Sequence, residues 1–439
     1  MSPTQLWGVG EITLTSAAFE PMVLVPATDS SGGEIEHRWA NFAVMLDEDT
    51  LDSWPVDDTT VVANAAVRNP FGGYSVISGS YSITVELPDG QRASEELELF
   101  GLRRSVNLEI IPDVFKLPTP WGAGRVVSYT IWDPPAGTPQ PRTSHVALVD
   151  LRTGAATVLA DVNGWSSLLA PGPSYDAQRV VLDLDGAAQP SVSYRVAGQL
   201  QPGDSLDCYA PNAISDFLVA EVGPGRCLGW YSGGYYGPRG IWADGVTLLA
   251  EVPLPLLGAF VISPDSRHTI PTMKYGCSGI FPPNSPTSWW VFDDTPAIAY
   301  TLDGVGCVTG ASFTPGGDTL FITAQEPIPE GSPPPGWRVE ARDSENGTLI
   351  ASWVLEEEGG ILLDVLADPV LPWLYVQDAR GLWVLRRGSL DVVARIPAFA
   401  GPASLLIHGG SAGTLYLWTT DHGHWASVLE FDILAEVPE

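Results

Sequence analysis

Asp421-His422-Gly423-His424 places two imidazoles and a carboxylate within one short stretch. Alternate strand positions face the same way, so His422 and His424 could share a metal ion. The chain has only 6 histidines, though, and no third ligand is near in sequence. A hairpin turn with Gly423 at positive φ fits this stretch better. Gly409-Gly410-Ser411-Ala412-Gly413 matches the G-x-S-x-G pattern, which exposes a serine nucleophile only on a strand-to-helix elbow. Here Thr414-Leu415-Tyr416-Leu417-Trp418 follows, a strand pattern, so the motif reads as a glycine-rich hairpin. Asp183, Asp185, Asp293, Asp294, Asp318, Asp364 and Asp368 could hold Ca2+ in an axial channel. Most of them stand at turn positions instead, where aspartate accepts hydrogen bonds from local N–H groups.

No P-loop, Asp-box, CxxC or CxxCH occurs. No catalytic residue, metal ligand or cofactor is therefore assigned, with Ca2+ the one ion kept in view. Asn346-Gly347-Thr348 is a formal glycosylation sequon that reads more simply as a tight turn. The 4 cysteines fall into neighbouring pairs, Cys208 with Cys227 and Cys277 with Cys307. Both pairs lie in Gly/Pro-punctuated stretches. The expectation is two disulfides and a periplasmic or extracellular location, against which stands the absence of a visible signal peptide at Met1–Trp7.

The elements that must position these residues are strands. Helical periodicity is nearly absent, and alternation recurs in Phe42-Val44-Leu46, Tyr81-Ile83-Val85-Leu87 and Val106-Leu108-Ile110. Pro88-Asp89-Gly90 joins two such runs as a hairpin. Residues 1–112 are expected to form an Ig-like β-sandwich, ending at the proline-bearing connector 112–124. Over 113–439 one unit repeats: an apolar run, a polar turn with Asp or Gly, and a second apolar run. Its turn falls at positions 150, 197, 244, 293, 343, 386 and 432, in steps of 43 to 50 residues. Seven units at a near-constant period predict a closed seven-bladed β-propeller.

A second series of tight turns interleaves with the first. It includes Ser263-Pro264-Asp265, Thr314-Pro315-Gly316-Gly317-Asp318, Asp368-Pro369 and Gly409-Gly410-Ser411, with an indistinct member near Gly223-Pro224. The alternation of Ser-Pro-Asp turns with Asp-x-x-Thr-Gly hairpins resembles the YVTN-type and quinoprotein-like propellers over residues 118–439. The resemblance implies a fold and no activity, since that class hosts enzymes, electron-transfer partners and binding modules.

In such a blade the loop between the second and third strands lies on the opposite face from these turns. The long insertions Asp133–Ser144, Trp230–Gly240, Lys274–Ser288 and Gln325–Gly336 all belong there. Tyr231, Tyr235, Tyr236, Arg239, Tyr275 and Phe281 are the expected binding face, because tyrosine and proline offer contact area at low entropic cost. The competing reading folds these rings back over the propeller's edge.

The formal charge is −31, from 21 basic and 52 acidic side chains. That balance excludes phosphate-backbone binding and favours a neutral or basic protein partner. No run is long and apolar enough for a transmembrane helix. The function expected is a non-catalytic interaction module, an accessory subunit of a larger assembly. The alternatives are a hydrolytic or metal-assisted enzyme using the axial pocket, and a virion structural or receptor-binding component.

Overall fold

The computed structural model describes strands from Glu11 to Asp432. Side chains are described at 106 and 108 and over most of 117–128, 145–159, 220–230, 240–251, 259–273, 288–327, 336–355, 361–378, 381–396, 404–419 and 428–437. The propeller expected beyond the connector is there. Four-stranded antiparallel sheets follow one another along the chain at 119–163, 259–303, 307–354 and 362–397. A fifth blade, 215–251, carries an extra short strand, Leu169–Ala170, parallel to Phe217–Leu218. The sixth, 403–432, has three strands of its own.

These six sheets carry described side chains, against the seven blades that the repeat predicted. A further four-stranded sheet, from Gly172 to Ser205, is described by its backbone alone. Before the propeller, a five-stranded mixed sheet is ordered 49–56, 40–46, 11–15, 79–86 and 92–99, and Glu20–Pro26 pairs with Thr60–Ala65. The strands flanking Pro88-Asp89-Gly90 pair from Gly79↔Leu99 to Glu86↔Arg92. How these sheets pack, and so the Ig-like sandwich itself, lies outside the described side chains.

The alternation at 106–110 has a different destination from the one expected. Arg104–Ser105 pairs antiparallel with Glu430 and Leu429, and the Val106 N–H donates to the Val428 carbonyl. This segment is the outermost strand of the last blade, where a sandwich strand was expected. Val106 and Leu108 are both buried there, against Val126, Val149, Tyr416 and Trp418. The first and last blades also meet directly, through the Gly124 N–H on the His408 carbonyl.

Each blade has the same internal logic. The seven aspartate, alanine and arginine positions of the repeat fall at or just past the end of a third strand, as at Asp150, Asp293, Asp343 and Asp432. Asp343 shows why aspartate recurs. Its Oδ1 accepts from the Glu345 N–H at 3.0 Å while its carbonyl accepts from Gly347, whose φ is +75°. Only glycine adopts that conformation without strain, and its ring-facing side leaves no room for a Cβ, which would lie 2.7 Å from the Tyr300 ring. The expected but indistinct turn near Gly223-Pro224 is present: the Gly225 N–H lies 3.4 Å from Glu221 Oε1, and Gly225 has φ +66°.

First strands of successive blades are stitched by side chains. Thr309 Oγ1 donates to the Leu362 carbonyl at 2.6 Å. Ser312 Oγ accepts from the Ala367 N–H at 3.0 Å, and Asp364 Oδ2 accepts from the Leu406 N–H at 2.8 Å. Apolar side chains fill the space between sheets, with Phe260, Trp289, Phe292, Phe321 and Leu374 among those fully enclosed. Large exposed apolar residues concentrate on the fourth strands, at Val158, Ile298, Leu349, Ile350, Val354 and Val392. The fourth strands are therefore the rim.

Candidate binding face

The four long insertions join the strands that the sequence reading required. Trp132 pairs with Thr143, and Ser232 with Arg239. His268–Thr272 leads through the third to the paired strand Ser288–Asp293, and Gln325 pairs with Trp337. In every case the insertion connects a second strand to a third, so all four emerge on one side of the propeller. The corresponding connections in 362–397 and 403–432 are short, since Asp378 leads to Gly381 and Asp421 pairs with Trp425. Long second-to-third-strand insertions thus belong to four blades, and short connections to the last two along the chain.

Of the six expected contact residues, Tyr231 and Arg239 stand on paired strands at the root of one insertion, Tyr231 opposite Gly240. Tyr235, Tyr236, Tyr275 and Phe281 lie outside the described residues, as do His422, His424, Asp183, Asp185, Cys208 and Cys277. The insertions carrying Tyr235 and Tyr275 belong to neighbouring blades. The root of the Tyr275 insertion is packed: Trp289 is fully buried, donates Nε1–H to the Pro271 carbonyl at 2.8 Å and packs on Trp290 at 5.7 Å between centroids. Cys307 opens the next blade's first strand with its sulfur 3.9 Å from Met273 Sδ. Cys227 and Cys307 are both disulfide-bonded.

The opposite face is occupied by its own turns. Ser263 Oγ donates to Asp265 Oδ1 at 2.6 Å and accepts from the His268 N–H at 2.9 Å. Thr314 Oγ1 donates to Asp318 and accepts from the Thr319 N–H. Arg267 reaches Glu345 of the next blade at 2.9 Å, and the Tyr300 hydroxyl donates to the Ser344 carbonyl at 2.7 Å. Arg152 holds the Asp150 carboxyl below the usual carboxylate range, through a hydrogen bond to its guanidinium. The Asp293, Asp318 and Asp368 carboxylates thus serve turns, and Asp364 serves a neighbouring strand. Among the described residues no group of three or more His, Cys, Asp or Glu side chains is placed to hold a metal ion. Gly409–Gly413 is a turn between two strands, closed by Gly409 N–H on the Thr414 carbonyl, so Ser411 has no helix behind it.

Asp368 is the most heavily used of these carboxylates, and periodicity alone did not single it out. It is fully buried. Oδ1 accepts from the Val370 and Leu371 N–H groups at 2.8 and 2.7 Å, and Oδ2 accepts from the Tyr375 hydroxyl at 2.7 Å. Burial, then that carboxylate, pushes the Tyr375 hydroxyl far above its ordinary value. Tyr375→Phe should therefore cost about 1–2 kcal/mol, the price of one charge-assisted hydrogen bond, with no change in any binding function. A urea midpoint that stays put would show the bond to be idle.

Among the described residues no helix is long and apolar enough to cross a membrane. No family model matches the chain, and no curated protein matches it. Among solved structures it is similar to the β-propeller domain of Cps50 (Swd1) from Myceliophteria thermophila. That match has 12% identity and a TM-score of 0.46 over 76% of this chain and 99% of that one. The chain is a β-propeller, and that statement stands on its sheet topology.

Proposed function

We propose that this protein is a non-catalytic protein-interaction module, an accessory or scaffold subunit that binds its partner through the face carrying the long second-to-third-strand insertions. One observation carries the reading. Four insertions leave one side of the propeller, while the turns of the other side spend their polar groups on one another. Long loops on a rigid scaffold are where binding residues concentrate. The charge of −31 supports a basic partner, drawn in by long-range attraction. The N-terminal region would serve as a second docking element.

The cysteines extend the proposal. Met273 donates to the Val308 carbonyl beside Cys307, and Cys277 follows Met273 by four residues, so a Cys277–Cys307 bridge would pin the base of one insertion. With Cys208–Cys227 it would place the protein in an oxidising, extracytoplasmic compartment. Thiol titration under denaturing conditions should find no free thiol, and four would remove this compartment.

The face is tested by Tyr235→Ala/Tyr236→Ala together. The variant should keep the wild-type near-ultraviolet circular dichroism and lose the partner recovered with the wild-type chain in a native pull-down. Retention of that partner would move the interface elsewhere.

A further inference from the structure

We propose that His408 is an acid-sensitive latch at the junction where the propeller closes: its neutral imidazole holds the 409–413 turn, and protonation releases it. His408 ends the first strand of the last blade, and its carbonyl accepts from Gly124 of the first blade at 2.9 Å. Its Nδ1 accepts from the Gly410 N–H at 3.0 Å. An imidazole nitrogen that accepts carries no proton, so the neutral ring has its hydrogen on Nε2. Nε2 is buried with no hydrogen-bond partner, 3.8 Å from Asp368 Oδ2.

A second proton can only go to Nδ1, where it would point at the Gly410 N–H, a donor facing a donor. The bond to Gly410 is then lost. The new cation is drawn toward Asp368, which already accepts from Val370, Leu371 and Tyr375 and lies 3.4 Å from the Gly413 N–H, in the same turn. The ring cannot turn to meet that carboxylate fully without leaving the turn it anchors.

The turn matters beyond itself. A Cβ on Gly124 would sit 3.2 Å from the Gly409 carbonyl, so the first blade is seated directly on it. The Gly413 carbonyl accepts from Ile433 in the chain's final turn. Other ionisable groups near the junction are Asp150, Arg125 and Arg152 of the first blade, Arg387, which donates to the Asp368 carbonyl, and Asp432. Of these and Asp368, only Asp368 acts on the imidazole, favouring its charged form, and burial outweighs it.

The sign is fixed by that balance. Burial lowers the His408 pKa below the ordinary 6.5, so the unfolded chain takes up the proton first. The latch is complete above the unfolded value and is lost as pH falls through it toward the folded one.

Hydrogen exchange of the full chain is read on the peptide spanning 403–415 at about pH 7.5 and again on the acid side of the ordinary imidazole value, down to about pH 4, with intrinsic rates corrected. Protection at Gly410 should be lost at the lower pH, while the 337–343 strand stays protected. His408→Asn offers an amide oxygen near the Nδ1 position that does not titrate in this range, so its protection should be equal at both. Nitrogen-15 NMR of the wild-type ring should show the Nε2–H tautomer at neutral pH, which needs no variant. Protection at Gly410 independent of pH, a pH dependence that survives in His408→Asn, or an Nδ1–H tautomer would each overturn the latch.

Discussion

Replacing Glu340 with alanine should lower the free energy of unfolding by about 3–5 kcal/mol, the usual cost of removing one partner from a buried ion cluster. Glu340 lies mid-strand with its side chain 3% exposed. Oε1 meets Arg338 Nε at 2.5 Å and Oε2 meets Arg342 Nε at 2.6 Å. Arg342 is itself 9% exposed and also donates to the Gly347 carbonyl, so it cannot follow solvent when its carboxylate disappears. Arg338 keeps Glu326 and the Gly304 carbonyl, and so the damage should centre on Arg342. Glu340→Gln should fall between the two chains, since the amide oxygen still accepts from one guanidinium. Urea unfolding followed by tryptophan fluorescence measures both, and an alanine variant within about 1 kcal/mol of wild type would mean that water replaces the carboxylate.

Trp289→Ala should cost a comparable amount, about 3–5 kcal/mol, from lost burial and the cavity left behind. The side chain is wholly enclosed among Phe260, Met273, Val291 and their neighbours, and the Pro271 carbonyl would lose its donor. Trp289→Phe fills most of the space and leaves only that carbonyl, so its loss should be clearly smaller. Trp289 stands one residue past the insertion at 274–288, so the alanine variant should also weaken partner binding in proportion to local loosening. A stable Trp289→Ala chain with unchanged binding would show that the insertion is held by its other end.

Much of the fold is legible in local pattern, because a blade is four short strands joined by turns that demand particular residues. Asp343 and Gly347 announce a hairpin by their chemistry, and Ser263-Pro264-Asp265 does the same on the preceding blade. What the pattern misreads are contacts made at a distance. Arg338-x-Glu340-x-Arg342 alternates like a solvent-facing row, yet the strand is covered on that side and the charges satisfy one another. Val106-Leu108 alternates equally well for a sandwich strand or for the rim of a propeller. Its partner is at Glu430, 326 positions along the chain, and nothing near residue 104 signals it. Asp368 and His408 belong to different repeat units, so no spacing relates them. The proposed binding face rests on loop length and aromatic content in the sequence, and Tyr235, Tyr236, Tyr275 and Phe281 lie outside the described residues.

That pairing of Arg104 with Glu430 sets the order of events during synthesis. The rim strand of the last blade leaves the ribosome before any blade exists, and it waits for the strand at 425–432. Until then both it and the second strand at 414–421 present open edges, the condition in which strands join the wrong neighbour. Contacts this distant in sequence also make for slow closure. The molecule must therefore remain an open arc for most of its maturation, and its abundance in a cell should depend on whatever shields those two edges during that interval.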